Sequence, residues 1–456
     1  MAKTAQDGDL QQLRRPPRTT GGRIVLIVVA SLAAGLVVGF ALVAAPFIPA
    51  RVNVLAGVVL LGFAFGWVLL AVLSIRFSDQ PQRWAAAPAL FFALAGAISL
   101  IGSEALNSVW RWIWPPMLLA LVVWIFLRAR QHLHSRTGRW LLYPLLAVLL
   151  LASIGGGYQT VRESIEATAN PMPGQLIDVG GHRLHLSCTG SGSPTVVLEP
   201  GMGGASLDMA WIAQAVARDS RVCVYDRAGR GWSDAADGPQ DAAQTATDLH
   251  TLLGRAHIPG PYVLAGHSFG GLYILTFAAT YPDQVAGMVL VDSTAPASAS
   301  TPPTKTTGSY DFPGRIAAIL PAVAHFGVAR LVGQSYYDSL PERSRDEARA
   351  RSATASYLRS YIDEARAGAT AMQQAASLAD FGNKPLIVIT AGRGHDAEWT
   401  LAQDKLATLS TNSRHRVAAD ATHQSLVLDE THAAAASHAI HDVVVAVRTR
   451  RPLPPP

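Results

Sequence analysis

Residues 263–271 read VLAGHSFGG. Within them, Gly266–His267–Ser268–Phe269–Gly270 has the form G-x-S-x-G. An apolar run, Tyr262–Ala265, precedes it, and a helical pattern, Phe269–Tyr281, follows it. That context gives the motif its meaning. A serine on a sharp strand-to-helix turn sits in strained backbone, and only small flanking residues let the turn close. The hydroxyl then projects from the sheet edge, and the next backbone N–H lies at a helix N-terminus, where unpaired donors favour a developing oxyanion.

Outward from this turn, short β-rich runs alternate with Ala-rich helical stretches, the pattern of a mostly parallel sheet covered by helices. Gln175–Val179 and Arg183–Cys188 flank a Gly180–Gly181 turn and read as a hairpin. Thr195–Glu199, Val222–Tyr225, Met288–Asp292 and Leu386–Thr390 read as further strands, and Arg414–Val417 as a weaker eighth. Helices are expected at Ala210–Arg218, Asp241–Gly254 and Glu430–Val447. The alternation stops over the 93 residues from Ser293 to Pro385.

Residues before Tyr158 have another texture. Only 15% of the 456 residues are charged and mean hydropathy is +0.23, low in charge for a soluble globule. Between Ile24 and Gly157 the only acids are Asp79 and Glu104. Five apolar spans are read at Ile24–Ala45, Val52–Ile75, Trp84–Gly102, Trp112–Leu127 and Trp140–Gly156. About 20 apolar residues cross a bilayer. The fourth span is shortest and contains Pro115 and Pro116. Alternate flanks carry eleven Lys and Arg against two on the others. By the positive-inside rule the N-terminus is cytoplasmic, and five crossings place everything after Tyr158 outside. The expected organisation is a cytoplasmic tail at 1–23, a membrane region at 24–157, a juxtamembrane linker at 158–174 and an α/β domain at 175–450, interrupted by an insertion at 293–385. The net charge of +5 forms no basic stripe interleaved with aromatics, so no nucleic-acid partner is expected.

The motifs around the turn resemble the α/β-hydrolase superfamily, serine-hydrolase branch. VVLEPGMGG resembles the family's strand-plus-glycine loop, VYDRAGRGWSD its D-x-R-G-x-G-x-S turn, and YPDQVAGMVLVDS the strand after the nucleophile. The resemblance covers Gln175–Val447. It implies an eight-stranded, mostly parallel sheet, a Ser–His–acid triad and a helical cap after the sixth strand. The fold class is then an N-terminal α-helical transmembrane bundle joined to an α/β-hydrolase fold.

A serine needs an adjacent base. His423, in VAADATHQSLVLDE, lies after the last strand and before the last helix, in the chain order Ser…acid…His. His267, beside the nucleophile, reads as structural. The expected acid is Asp396, in TAGRGHDAEW after the seventh strand, although four residues rather than the family's usual three separate it from Gly392. The alternative acid is Asp292, closing VLVDS. Asp226 reads as a turn-stabilising carboxylate. The resemblance places the oxyanion donors on the backbone of Met202 and Phe269, with Gly201, Gly203 and Gly204 allowing close approach of substrate. No metal-ligand spacing and no phosphate-binding loop is present, so neither a metal nor a cofactor is expected.

The expected activity is cleavage of an ester, small or lipid-borne, through an acyl-enzyme; amide and thioester substrates use the same chemistry. A perhydrolase or acyltransferase on the same triad is the alternative, and a catalytically silent membrane protein the rival from another class. Protein partners are not read from the sequence. In the fold this chain resembles, the strands carrying Cys188 and Cys223 are neighbours. A disulfide between them is expected if the domain faces an oxidising compartment, and the plasma membrane is the expected location.

Overall fold

A computed structural model describes residues 20–236, 238, 240–297 and 311–454. The expected tail up to residue 19 and the Thr/Pro/Ser-rich stretch 298–310 lie outside the described residues. The chain divides into two compact units, Met1–Thr160 with Tyr310–Ala322, and Val161–Ser309 with Val323–Pro456.

The first unit is built on five helices: α1 (Thr20–Ala44), α2 (Val52–Phe77), α3 (Ala86–Ile101), α4 (Glu104–His132) and α5 (Arg136–Ala169). Each is long and apolar enough to cross a membrane, α3 when counted with the turn at Arg83–Ala85. The α5 helix continues into the expected juxtamembrane stretch and ends at Ala169. Small residues let α1 and α2 meet backbone to backbone. A Cβ on Gly62 would lie 2.6 Å from Gly39 Cα, and one on Gly66 2.8 Å from Ser31 O, the close approach typical of helix pairs in lipid. Pro115 and Pro116 do not break α4. Proline leaves the carbonyl four residues upstream without its helical donor. Thr160 Oγ1 lies 2.9 Å from Gly156 O and 3.2 Å from that carbonyl, Arg111 O, and Ser153 Oγ donates to Pro115 O at 2.7 Å. Polar side chains of a neighbouring helix that reach such carbonyls let proline sit inside an apolar helix.

The second unit holds an eight-stranded sheet: β1 (Gln175–Asp178), β2 (Arg183–Thr189), β3 (Val196–Glu199), β4 (Val222–Tyr225), β5 (Tyr262–His267), β6 (Val285–Val291), β7 (Leu386–Arg393) and β8 (Ser413–Thr422). The order is β1-β2-β4-β3-β5-β6-β7-β8. The pairs β1–β2 and β2–β4 are antiparallel and the rest parallel. Strands β3 and β5 are buried along their whole length, as central parallel strands covered on both faces must be. Their side chains alternate between two cores. Val197 and Leu264 enter one, with Leu249, Leu252 and Leu272; Val196, Leu198, Val263 and Ala265 enter the other, with Ile212, Ile440 and Val443.

Helices α6 (Ala210–Val216), α7 (Ala242–Arg255) and α8 (Gly270–Thr280) follow β3, β4 and β5. The segment between β6 and β7, the expected cap, contributes α10 (Glu342–Ser352) and α11 (Ala355–Ala375) here, while its α9 (Phe312–Ala317) belongs to the first unit. Helices α12 (Ala397–Ala407), α13 (Ser425–Leu428) and α14 (Glu430–Thr449) complete the chain. The eighth strand is longer than its sequence pattern suggests, because pairing to β7 carries it to Thr422. Cys188 and Cys223 stand in register on β2 and β4 and are joined as a disulfide.

Candidate active site

Ser268 sits between β5 and α8 with φ of 53°, a left-handed backbone that costs a non-glycine residue about 1–3 kcal/mol. The two glycines of the motif make this turn possible. A Cβ on Gly266 would meet Gly270 O at 2.7 Å, and one on Gly270 would meet Pro200 O at 2.6 Å. The turn is pinned from outside as well. Ser268 N–H donates to Val291 O, and Thr294 N–H donates to Ser268 O, each at 3.0 Å.

His423, after the end of β8, brings Nε2 to 2.8 Å from Ser268 Oγ. Its Nδ1 lies 2.6 Å from Asp292 Oδ2. Asp292 follows β6, again with positive φ, and is fully buried. Three more donors reach its carboxylate: Ala391 N–H at 3.1 Å and Trp399 Nε1 at 2.9 Å on Oδ1, and His395 Nε2 at 2.6 Å on Oδ2. Burial alone pushes the Asp292 carboxyl up, but the hydrogen bonds from His423, Trp399, Ala391 and His395 outweigh it and hold the group below the usual carboxylate range.

Asp396, the expected acid, is not in this chain of bonds. It is exposed and begins α12, where its Oδ1 accepts the Trp399 N–H at 2.9 Å. Helix capping, rather than the histidine, engages its side chain. The alternative, Asp292, is the carboxylate that His423 reaches. The reason is topological: β6 lies beside β5, so its end falls next to the serine turn. His395 and Trp399 were not singled out from sequence. Their rings stack at 4.5 Å, 3° from coplanar, and both serve the same acid. The four-residue spacing from Gly392 was the available signal that this loop departs from the usual pattern.

Among the described residues, His267 makes no hydrogen bond to Ser268 Oγ, and it packs behind His423. Its ring packs on His423 at 4.6 Å, and Nε2 lies 2.9 Å from the His423 carbonyl. Burial, with the neighbouring His423 adding to it, lowers its pKa to about 3. Asp226 has the expected role in its turn, accepting from Ser206 N–H, Trp232 N–H and His185 Nδ1.

The loop Pro200–Gly204 runs beside the serine; a Cβ on Gly201 would lie 3.1 Å from Ser268 Cβ. Among the described residues no protein acceptor takes the N–H of Met202 or of Phe269. Charged groups grip the rest of the loop. Arg227 donates to Pro200 O at 2.9 Å and Gly201 O at 2.7 Å, Arg230 donates to Gly203 O at 3.2 Å, and Gly203 N–H donates to Glu364 Oε2 at 2.8 Å. Glu364, from α11 of the cap, binds Arg227 at 2.8 Å, Arg230 at 2.6 Å and Tyr273 Oη at 2.8 Å. Glu199 completes the network with Tyr225 and Arg227. Burial raises the Glu199 carboxyl to about 7 against the pull of Arg227. For Glu364 burial also pushes upward, but Arg227 and Arg230 prevail and its pKa falls.

Asp292, His395 and His423 form the one group of metal-type ligands among the described residues, within 4.8 Å of one another. Each of those atoms is engaged in the hydrogen bonds above.

A serine turn after the fifth strand, a histidine after the eighth and a helical insertion after the sixth are the arrangement of one fold class. Residues 194–430 match the family of the alpha/beta hydrolase fold, and the chain belongs to that family. It is 33% identical over 151 residues to the uncharacterised protein C23C11.06c of Schizosaccharomyces pombe, covering 26% of this chain and 28% of that protein. It is 38% identical over 106 residues to RutD of Cronobacter sakazakii, which carries the provisional name carbamate hydrolase, covering 22% and 38%. The enol-lactonase of Burkholderia xenovorans aligns over 59% of this chain and 100% of its own, with a TM-score of 0.45 and 22% identity. The chain spans about a quarter of the first of these relatives and well under half of RutD.

Proposed function

We propose that this protein is a membrane-anchored serine hydrolase that cleaves an ester through an acyl-enzyme. The observation that carries this reading is the unbroken path from Ser268 Oγ through His423 to a buried, multiply bonded Asp292. Ser268 attacks the ester carbonyl while His423 Nε2 takes its proton. Asp292 holds the histidine tautomer and stabilises the imidazolium. Met202 and Phe269 N–H groups receive the oxyanion, the alcohol leaves with the proton from His423, and water activated by the same histidine releases the acid.

The five apolar helices support anchoring, and the plasma membrane is the proposed site. The eleven-to-two distribution of positive charge and the Cys188–Cys223 bond both favour an extracytoplasmic hydrolase unit. The test is ester turnover by the full chain: Ser268→Ala lowers it by at least about a thousandfold with folding intact. Retention within about tenfold of the parent rejects the reading.

A further inference from the structure

The turn that carries Asp292 is gripped by a single helix of the same unit. Trp399 and Gln403 stand one turn apart on α12, so their side chains leave the same face. Trp399 Nε1 donates to Asp292 Oδ1 at 2.9 Å, and buried Gln403 donates from Nε2 to Ser293 O at 2.8 Å. Two successive residues after β6 are thereby held by one element. Ser293 Oγ extends the grip to the serine turn, donating to Gly266 O at 3.1 Å.

Trp399 is fixed along its whole length. Its backbone N–H is capped by Asp396, its indole N–H is on Asp292, and its ring lies flat against His395. From that stack, His395 brings Nε2 to the same Asp292 oxygen that His423 Nδ1 approaches, each at 2.6 Å. The His395 ring stands edge-on to His423, 88° between planes and 5.9 Å between centroids. Asp396, which does not reach His423, begins the helix that carries this clamp.

The clamp meets two physical demands. Asp292 has φ of 45°, a left-handed backbone that persists in a non-glycine residue only where its surroundings over-determine it. Its side chain is also fully buried, and a buried carboxylate short of donors takes up a proton rather than keep its charge. Without Trp399 and His395, the Ala391 N–H and His423 are the donors left on it. A carboxyl group free to turn or to protonate no longer fixes the tautomer of the histidine.

We propose that His395 and Trp399 are positioning residues: they fix the Asp292 carboxylate against His423, and their effect on turnover passes through that carboxylate. This rests on the serine-hydrolase reading and extends its machinery by two residues that act at one remove from the serine. The test uses the full chain and p-nitrophenyl butyrate, a soluble ester. Trp399→Phe and His395→Phe each keep a flat ring in the stack and remove one N–H. Each lowers kcat by about ten- to a hundredfold, the worth of one hydrogen bond to a charged group, with KM changed by no more than about twofold. His395→Gln, whose amide N–H can donate to the same oxygen, restores kcat to within about fivefold of the parent. In an Asp292→Asn background the two Phe substitutions bring no further loss, because the group they act through is gone. Should Trp399→Phe fail to fold, the comparison of His395→Phe with His395→Gln decides alone. Parental kcat in the Phe variants, a change confined to KM, equal impairment by Phe and Gln at 395, or an undiminished further loss in the Asp292→Asn background overturns the proposal. Failure of the serine-hydrolase reading has a separate signature: the unaltered chain does not hydrolyse the ester, or Ser268→Ala hydrolyses it as fast.

Discussion

On the side of Ser268 that faces Pro200–Gly204, buried Arg227, Arg230 and Glu364 hold a five-residue loop by its backbone, with Glu199 bonded to Arg227 behind them. On the other side, a single buried carboxylate, Asp292, collects its donors from four places in the chain: Ala391 on β7, His395 in the loop after it, Trp399 on α12 and His423 after β8. The first flank is locked by charge. The second is a hub, in which one side chain organises groups from distant parts of the chain. Losses at the hub should therefore fall on the chemistry itself, and losses in the lock on how well the transition state is held.

The largest expected contrast is on the Asp292 side. Asp292→Asn lowers turnover by about three to four orders of magnitude, because an amide neither fixes the His423 tautomer nor stabilises its charged form. Asp396→Asn leaves turnover and melting temperature near the parent values, since asparagine caps a helix as well as aspartate does. Steady-state kinetics and thermal melts on both variants check this; the reverse ranking would return the acid to Asp396.

A smaller effect is expected on the side of Pro200–Gly204. Glu364→Gln keeps the side-chain shape but removes the charge facing Arg227 and Arg230. The expected result is a fall in kcat of about ten- to a hundredfold with KM little changed, because oxyanion donors act chiefly in the transition state. A change confined to KM would assign Glu364 to substrate binding instead.

The smallest effect concerns stability rather than rate. His267 is held neutral to about pH 3 in the folded chain, against about 6.5 when unfolded. The unfolded chain therefore binds the extra proton first. The contribution is complete above about pH 6.5 and is lost as pH falls towards 3, on the order of a few kcal/mol in all. His267→Gln should flatten the decline in melting temperature over that interval, and an unchanged slope would remove His267 from the account.

The same contrast explains what was legible in the sequence. The serine turn, the glycine loop and the hydrolase fold are carried by contiguous residues whose spacing is itself the constraint; Gly266 and Gly270 are there because nothing larger fits. His423 was legible because it follows the last strand directly. The carboxylate bonded to His423 was not, because its identity depends on which strand end lies beside β5, a property of the assembled sheet. Asp396 has the right residue type near the right place, but it caps α12. His395, Trp399 and Glu364 escaped for the same reason: each serves a partner about a hundred or more positions away. In the helical unit, five apolar spans were legible from composition, whereas the bond from Ser153 of α5 to Pro115 O of α4 required the helices to be packed.

The most direct test of the central claim is fluorophosphonate labelling of the full chain, with the adduct located by mass spectrometry. The account predicts one adduct, on Ser268, formed at the parent rate in Asp396→Asn and lost in His423→Ala and Asp292→Asn. An adduct on another residue, or labelling of Ser268 at the parent rate without His423 or Asp292, would contradict it.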